Sequence, residues 1–499
     1  MGLLAAIVRP FAQLIARRIN RWSGNALAEQ ERVFKELIST ARNTAFGRDH
    51  GFDSIHSYEA FAQAVPVRDY EDLKPYVERV KAGEHDVLWP GQPLYFAKTS
   101  GTTSGAKYIP MSRESTPPHF GTARNALFNY FAVTGNGAWL DGKIIFLSGS
   151  PTLDKINGIL TGRLSGISNH LVPAWLRRNQ LPGWETNCIE DWEEKLDRIV
   201  DETMHADMRL ISGIPPWVQM YYERLLERSN RESIAALFPN YSVFVYGGVN
   251  FEPYRSKLES LVGKPIDSVE TYPASEGFIA FQDRFPSEGL LLNVAAGMFF
   301  EFIKVDEFFH ENPTRLWLKD VELGVNYALI LNTNAGLWGY NIGDTVQFVS
   351  IDPYRIVVTG RIKHFISAFG EHVIGKEVEA SILEAAQEHG VHLVEFTVAP
   401  QVNPPEGGLP YHEWFVEFDT PPKNLDAFAA SIEQNMRRQN IYYDDLITGS
   451  ILRPLVLRPL RRDAFREYMK SQGKLGGQNK VPRLANDRKI AEVLQNFVD

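Results

Sequence analysis

The sequence predicts an α/β protein with a large N-terminal domain built on a largely parallel sheet and a smaller, mobile α+β domain at the C-terminus. Three observations predict it. At 499 residues the chain exceeds one ordinary core, since domains run to about 150 residues. From about residue 140, apolar runs rich in β-branched residues alternate with helical patterns. After "YRIVVTGRIKHF" (354–365) that alternation gives way to a different order.

The first segment, "MGLLAAIVRPFAQLIARRINRW", carries Leu3, Leu4, Ile7, Val8, Phe11, Leu14 and Ile15 at helical spacing, with arginines at 9, 17, 18 and 21. Two readings stand side by side: a helix at a membrane surface or a targeting helix, and an N-terminal helix packed on the body of the protein. Arg9 interrupts the apolar run well short of the ~18 residues a membrane span requires. The charges follow the apolar residues, which disfavours a secretory signal.

Further on, "KIIFLSGS" (143–150), "MRLISGIPP" (208–216) and "YSVFVYGGVNFEP" (241–253) each read as a buried strand entering a loop. The last two lead into "WVQMYYERLLER" and "YRSKLESLVG", both helical patterns. Repetition of strand, loop and helix implies parallel strands, whose carboxyl ends are where ligands bind. Beyond residue 354 the order becomes βαββαβ, similar to a small split βαβ unit. The expected boundary falls at Ile362, giving domains 1–361 and 362–499.

Composition excludes several classes of function. Hydrophobic residues at 44% and charged residues at 23% match a globular average. A formal charge of −9 and a pI near 5.8 argue against nucleic acid as the main partner. The single cysteine, Cys188, allows no intramolecular disulfide and no cysteine metal cluster, and it points to a reducing cytoplasm.

Five stretches carry chemistry. In "AKTSGTTSGAKYIP" (97–110), Gly101 and Gly105 enclose three residues and Lys107 precedes Tyr108, so the segment is not a P-loop. It reads either as small residues whose N–H groups and hydroxyls surround phosphate oxygens or as a Ser/Gly surface loop. In "SVETYPASEGFIAFQ" (268–282), Tyr272, Ser275 and Glu276 are expected in a loop after a strand; an aromatic can border a base and a carboxylate can hold Mg²⁺, or Glu276 is merely solvated. In "GLWGYNIGDTVQFV" (336–349), Asp344 could accept hydrogen bonds from ribose hydroxyls, or Gly343-Asp344 is a hairpin turn. Arg361 in "VVTGRIKHF" and Lys480 in "GGQNKVPR" read as site cations or surface charges. His119, His205 and His310 show no catalytic or metal-ligating spacing.

Taken together, "TSGTTSG", "YPASEG", "GYNIGD", "GR" and "GGQNKVPR", in this order, resemble the GH3 branch of acyl-adenylate-forming enzymes, in a bacterial-type member. The resemblance extends to "ARNTAFGRDHGF" and "YEDLKPYVERV" and so covers nearly the whole chain. It implies a ligase that uses ATP and Mg²⁺ to join a carboxylic acid to AMP, releasing pyrophosphate, and then passes the acyl group to an amine or amino acid, releasing AMP. Thr99, Ser100, Gly101, Thr102 and Thr103 would wrap the phosphates. Gly247 and Gly248 with Tyr272 would border the adenine, Ser275 would stand beside Glu276, and Glu276 would bind Mg²⁺. Asp344 would hold the ribose, Arg361 would stand near the nucleotide, and Lys480 would reach the α-phosphate and the acyl carboxylate. An acyl-CoA ligase and a catalytically silent nucleotide-binding homologue are the alternatives. "GYNIGD" and "HFISAFGEHVIGKEVE" depart from the plant pattern, so the resemblance does not reach the identity of the acceptor.

Overall fold

A computed structural model describes residues 3–99, 106–248, 251–362, 365–366, 373–448, 451–475, 480–485 and 487–499. The chain forms two compact units: Met1–Val249 with Leu261–Ile342 and Val346–Val357, and Asn250–Ser260 with Gly343–Thr345 and Val358–Asp499.

The largest sheet has twelve strands. At one end Gln180–Leu181, Lys143–Phe146, Met208–Ser212, Val243–Gly247 and Asp267–Ala274 lie side by side and parallel. The expected run of parallel strands is therefore present. Helix Pro215–Ser229 follows the Met208–Ser212 strand, with prolines at its first positions, where a missing N–H costs nothing. Asp267–Ala274 then turns back into Gly277–Gln282, and from there the pairing is antiparallel through Leu290–Leu292 to Tyr354–Arg361. A second sheet of four strands pairs Tyr95–Thr99 antiparallel with Lys107–Met111, with Thr99 opposite Lys107.

One buried ion pair ties the first unit together. Glu301 is wholly buried in strand Met298–Lys304, and its carboxylate accepts from Arg315 Nη2 at 2.8 Å, Tyr58 Oη at 2.9 Å and Asn332 Nδ2 at 2.7 Å. Arg315 Nη1 donates to the carbonyls of Ala62 and Val65. Burial and the neighbouring Glu301 charge raise the Tyr58 phenol well above its ordinary pKa, so it stays a donor.

In the second unit, strands His392–Gln401 and Tyr411–Thr420 run antiparallel and Val456–Leu460 adds in parallel. Helices Gly375–His389 and Leu425–Gln439 contribute Val378, Ile382, Phe428 and Ile432 to a core with Phe396, Val398, Trp414 and Val416. Among the described residues this sheet has three strands. The strand at 354–361 could open the βαββαβ pattern, but the expected boundary at Ile362 leaves it in the first domain, and it pairs in the large sheet. There Ile356 pairs with Leu290, and Arg355 makes a 2.7 Å ion pair with Asp283.

Replacing Glu301 by Ala leaves the Arg315 guanidinium buried and uncompensated. The expected loss is about 3–5 kcal/mol of unfolding free energy, read from urea denaturation; a loss under about 1 kcal/mol would show that the pair is not an anchor.

Candidate active site

Five strands of the first unit end on the same edge of the sheet, and the first site residues stand there. Gly247 closes the Val243–Gly247 strand directly opposite Thr271. A Cβ on Gly247 would lie 2.4 Å from the Thr271 carbonyl oxygen and 2.8 Å from its Oγ1, so only glycine lets the two strands approach. Gly248 follows at φ +83°, a conformation that glycine enters without steric cost. The pair thus forms a stretch of bare backbone at a strand end.

Tyr272 stands in the Asp267–Ala274 strand and not in a loop as expected from sequence, and it is buried in the main core. Ser275 and Glu276 form the two-residue turn after it, closed by pairing of Ala274 with Gly277. Glu276 is half-buried and, with Ser115, His119, Phe278, Ala296, Met298 and Asn334, lines a narrow cleft.

His119 was not among the residues selected from sequence. It is 5% exposed, its Nε2 has no hydrogen-bond partner, and burial lowers its pKa to about 4. A neutral imidazole with one unused nitrogen, beside a carboxylate, can take a hydrogen bond from or to a bound molecule. Nothing in its spacing marks it; only the return of strand Gly277–Gln282 past helix Thr116–Thr134 brings the two together.

Thr99 ends its strand in the four-stranded sheet. Ser100, Gly101, Thr102 and Thr103 lie outside the described residues.

The remaining three residues gather in the second unit. Asp344 sits inside the strand Tyr340–Ile351 and not in a hairpin turn, after Gly343 at φ +89°. Arg361 Nε donates to Asp344 Oδ1 at 2.9 Å, while the Ile362 N–H donates to the Gly343 carbonyl at 2.8 Å. Lys480 is exposed as a residue, yet desolvation of its ammonium lowers the pKa to about 8, with the Arg361 charge adding to the fall and Asp344 opposing it.

What holds Lys480 is the segment after it. Thr397 Oγ1 donates to the Pro482 carbonyl at 2.6 Å, Val398 N–H to that of Arg483 at 3.0 Å, and Ala485 N–H to that of Val398 at 3.0 Å. The Arg483 guanidinium lies 4.5 Å from the Phe396 ring centre and 5.3 Å from that of Tyr254. It donates to Tyr254 Oη at 2.8 Å and pairs with Glu395 and Glu379; Tyr254 in turn donates to Glu395 at 2.9 Å.

Comparison with known proteins follows this geometry. Three family models match: the GH3 family N-terminal domain over residues 15–169, its central domain over 291–361 and its C-terminal domain over 376–489. A curated rice relative (Oryza sativa subsp. japonica), named "Probable indole-3-acetic acid-amido synthetase GH3.2", is 35% identical over 94% of this chain and 90% of its own length. The chain belongs to the GH3 family. The indole-3-acetic acid-amido synthetase GH3.3 of Arabidopsis thaliana is 22% identical over 97% of the chain and 93% of its own length. Among solved structures, the GH3.15 acyl acid amido synthetase in complex with 2,4-DB superposes with a TM-score of 0.80 at 16% identity, covering 98% of this chain and 96% of that one. A 2-hydroxyisobutyryl-CoA ligase in its postadenylation state, with 2-HIB-AMP, reaches 0.60 at 12% identity over 94% and 91%. The GH3 fold is thus the fold of this chain, and the wider likeness extends to an adenylate-bound ligase.

Among the described residues no group of three or more His, Cys, Asp or Glu could hold a metal by itself. A single carboxylate suits Mg²⁺ where substrate phosphates and water supply the other ligands, and Glu276 fits that pattern.

Gly247→Ala is expected to push the Val243–Gly247 and Asp267–Ala274 strands apart, at a cost of about 1–3 kcal/mol in urea denaturation. An unchanged denaturation midpoint would mean that the close approach is not needed.

Proposed function

We propose that this GH3 protein is an ATP-dependent acyl-acid amido synthetase that adenylates a carboxylic acid and transfers the acyl group to an amine, in particular that of an amino acid. The reading rests on family membership together with one observation: Lys480, Asp344 and Arg361, distant in sequence, are neighbours within the second unit. The departures from the plant pattern at 339–344 and 364–379 support placing it with bacterial-type members. The lone cysteine supports a cytoplasmic setting. The chain would act as residues 1–361, binding ATP and acid, and 362–499, closing as a lid.

In the first half-reaction a carboxylate oxygen attacks the α-phosphorus of ATP and pyrophosphate leaves. Two anions must meet, so the Lys480 cation would offset their repulsion and stabilise the charge on the pentacoordinate phosphorus. Asp344, paired with Arg361, would accept from the ribose hydroxyls, and Arg361 would stand by the nucleotide. Thr99, with Ser100, Gly101, Thr102 and Thr103, would wrap the phosphates. The bare backbone of Gly247 and Gly248 and the ring of Tyr272 would border the adenine, with Ser275 at the same edge. Held by Glu276, Mg²⁺ would neutralise phosphate charge. In the second half-reaction the amine nitrogen attacks the acyl carbonyl and loses a proton, and AMP departs. The lining of His119, Phe278 and Met298 would offer the acid an apolar wall and one polar contact.

The test is acid-dependent pyrophosphate release over a panel of aryl and aliphatic acids, with mass spectrometry of products formed with amino acids or CoA. Amides support the reading. A thioester with CoA and no amide would favour a ligase like the 2-hydroxyisobutyryl-CoA neighbour in fold.

Lys480→Ala should lower adenylate formation by about 10²-fold or more. The wild-type kcat/KM for ATP should also be flat below pH 8 and fall as pH rises through about 8, because the depressed pKa deprotonates Lys480 there. A descending limb that survives in Lys480→Ala would belong to another group.

Arg483→Met should lower kcat for pyrophosphate release by about tenfold to a hundredfold through misplacement of Lys480, with the KM for ATP unchanged and the pH limb moved. Arg483→Lys should restore only part, since a lysine cannot fork between two carboxylates. Equal kcat in all three proteins would separate Arg483 from Lys480.

A further inference from the structure

We propose that the N-terminal helix, Leu3–Ser23, docks the protein on an anionic lipid surface. An amphipathic helix normally has one apolar stripe, and this one has two. The first is used: Ala5 and Ala12 are fully buried and Ile15 and Ile19 nearly so, on the side packed against helix Thr116–Thr134, and Phe11 at its border meets Phe128 edge-on at 5.2 Å. The second is open to solvent. Leu4 is 41% exposed, Ile7 66%, Phe11 45% and Leu14 43%.

The open stripe has a defined layout. Positions seven apart fall on one side of an α-helix, so Leu4, Phe11 and Arg18 form one row and Ile7, Leu14 and Arg21 form the row beside it. Each row is apolar for its first members and ends in an arginine. Arg17 flanks the basic end, while Arg9 stands on the opposite side of the helix. All four arginines are exposed, and none forms an ion pair among the described residues. Leu3–Ser23 contains no Asp or Glu, in a chain whose net charge is −9.

Charge and shape therefore select one occupant. A helix lying in the headgroup region buries its apolar side chains at the acyl boundary while guanidiniums on flexible stems reach the phosphates. Exposed arginines that form no ion pair among the described residues favour anionic lipid in particular. No helix among the described residues is long and apolar enough to cross a membrane, so the mode is adsorption on one leaflet. The inference is independent of the reaction proposed above.

The experiment sediments the full-length protein with sucrose-loaded vesicles of phosphatidylcholine alone or of phosphatidylcholine with phosphatidylserine. The expected result is binding to the anionic vesicles only, reversed by salt, and reduced about tenfold or more by Arg18→Gln with Arg21→Gln and by Ile7→Asp. Leu14→Asp provides a second apolar variant, and unchanged unfolding midpoints show that each variant is folded. No binding, equal binding to both vesicles, or undiminished binding of Ile7→Asp would overturn the proposal. So would a concentration-dependent dimer in velocity sedimentation that Ile7→Asp dissolves, since a second copy would then cover the stripe.

Discussion

The first unit depends on a change of direction at a two-residue turn. Strand Asp267–Ala274 is parallel to the strand on one side and antiparallel to the strand on the other. A parallel neighbour must be reached by a crossover, whereas an antiparallel one needs only the turn at Ser275–Glu276. That turn consequently lies on the edge where the parallel strands also end, and a charged residue enters an otherwise apolar stretch without being buried in the sheet. The strand ends at Ser212 and Gly247 share this edge because the pairing leaves them no alternative.

The second unit solves a different problem, namely how to present a cation on a chain segment with little secondary structure of its own. Its backbone is bonded along the His392–Gln401 strand, and Arg483 is gripped by two carboxylates, a phenol and two aromatic faces. Arginine is suited to that grip because its planar fork serves several acceptors and stacks on rings at the same time. The lysine three residues earlier is left with a depressed pKa and two charged neighbours of opposite sign.

Legibility in the sequence followed the range of the interaction. The parallel strands were readable because a buried strand is a short apolar run bounded by glycine and proline, a wholly local signal. Gly247 and Gly248 were readable as a loop, but the contact that requires glycine at 247 is with Thr271, on another strand. The strand at 354–361 could be read both as the opening of the βαββαβ order and as the end of the first domain, because its pattern says only that it is a strand; its partners at Leu290 and Leu291 lie more than sixty residues away. Asp344 looked like a turn residue because Gly-Asp commonly is one, and the structure instead places a glycine of positive φ within a long strand. His119 and Arg483 were illegible for a stronger reason. Each is defined by what surrounds it in space, and Tyr254 is 229 residues from the arginine it holds.

That last contact bears on how the protein can be taken apart. The second unit is not one continuous stretch: it includes Asn250–Ser260 and Gly343–Thr345, both embedded in the sequence of the first. A fragment beginning after residue 361 would lose Tyr254, and with it the phenol that accepts from Arg483 and donates to Glu395. A nick in an exposed loop and a genetic truncation at the same point would therefore yield different molecules, since only the nicked protein keeps the helix that completes the second unit.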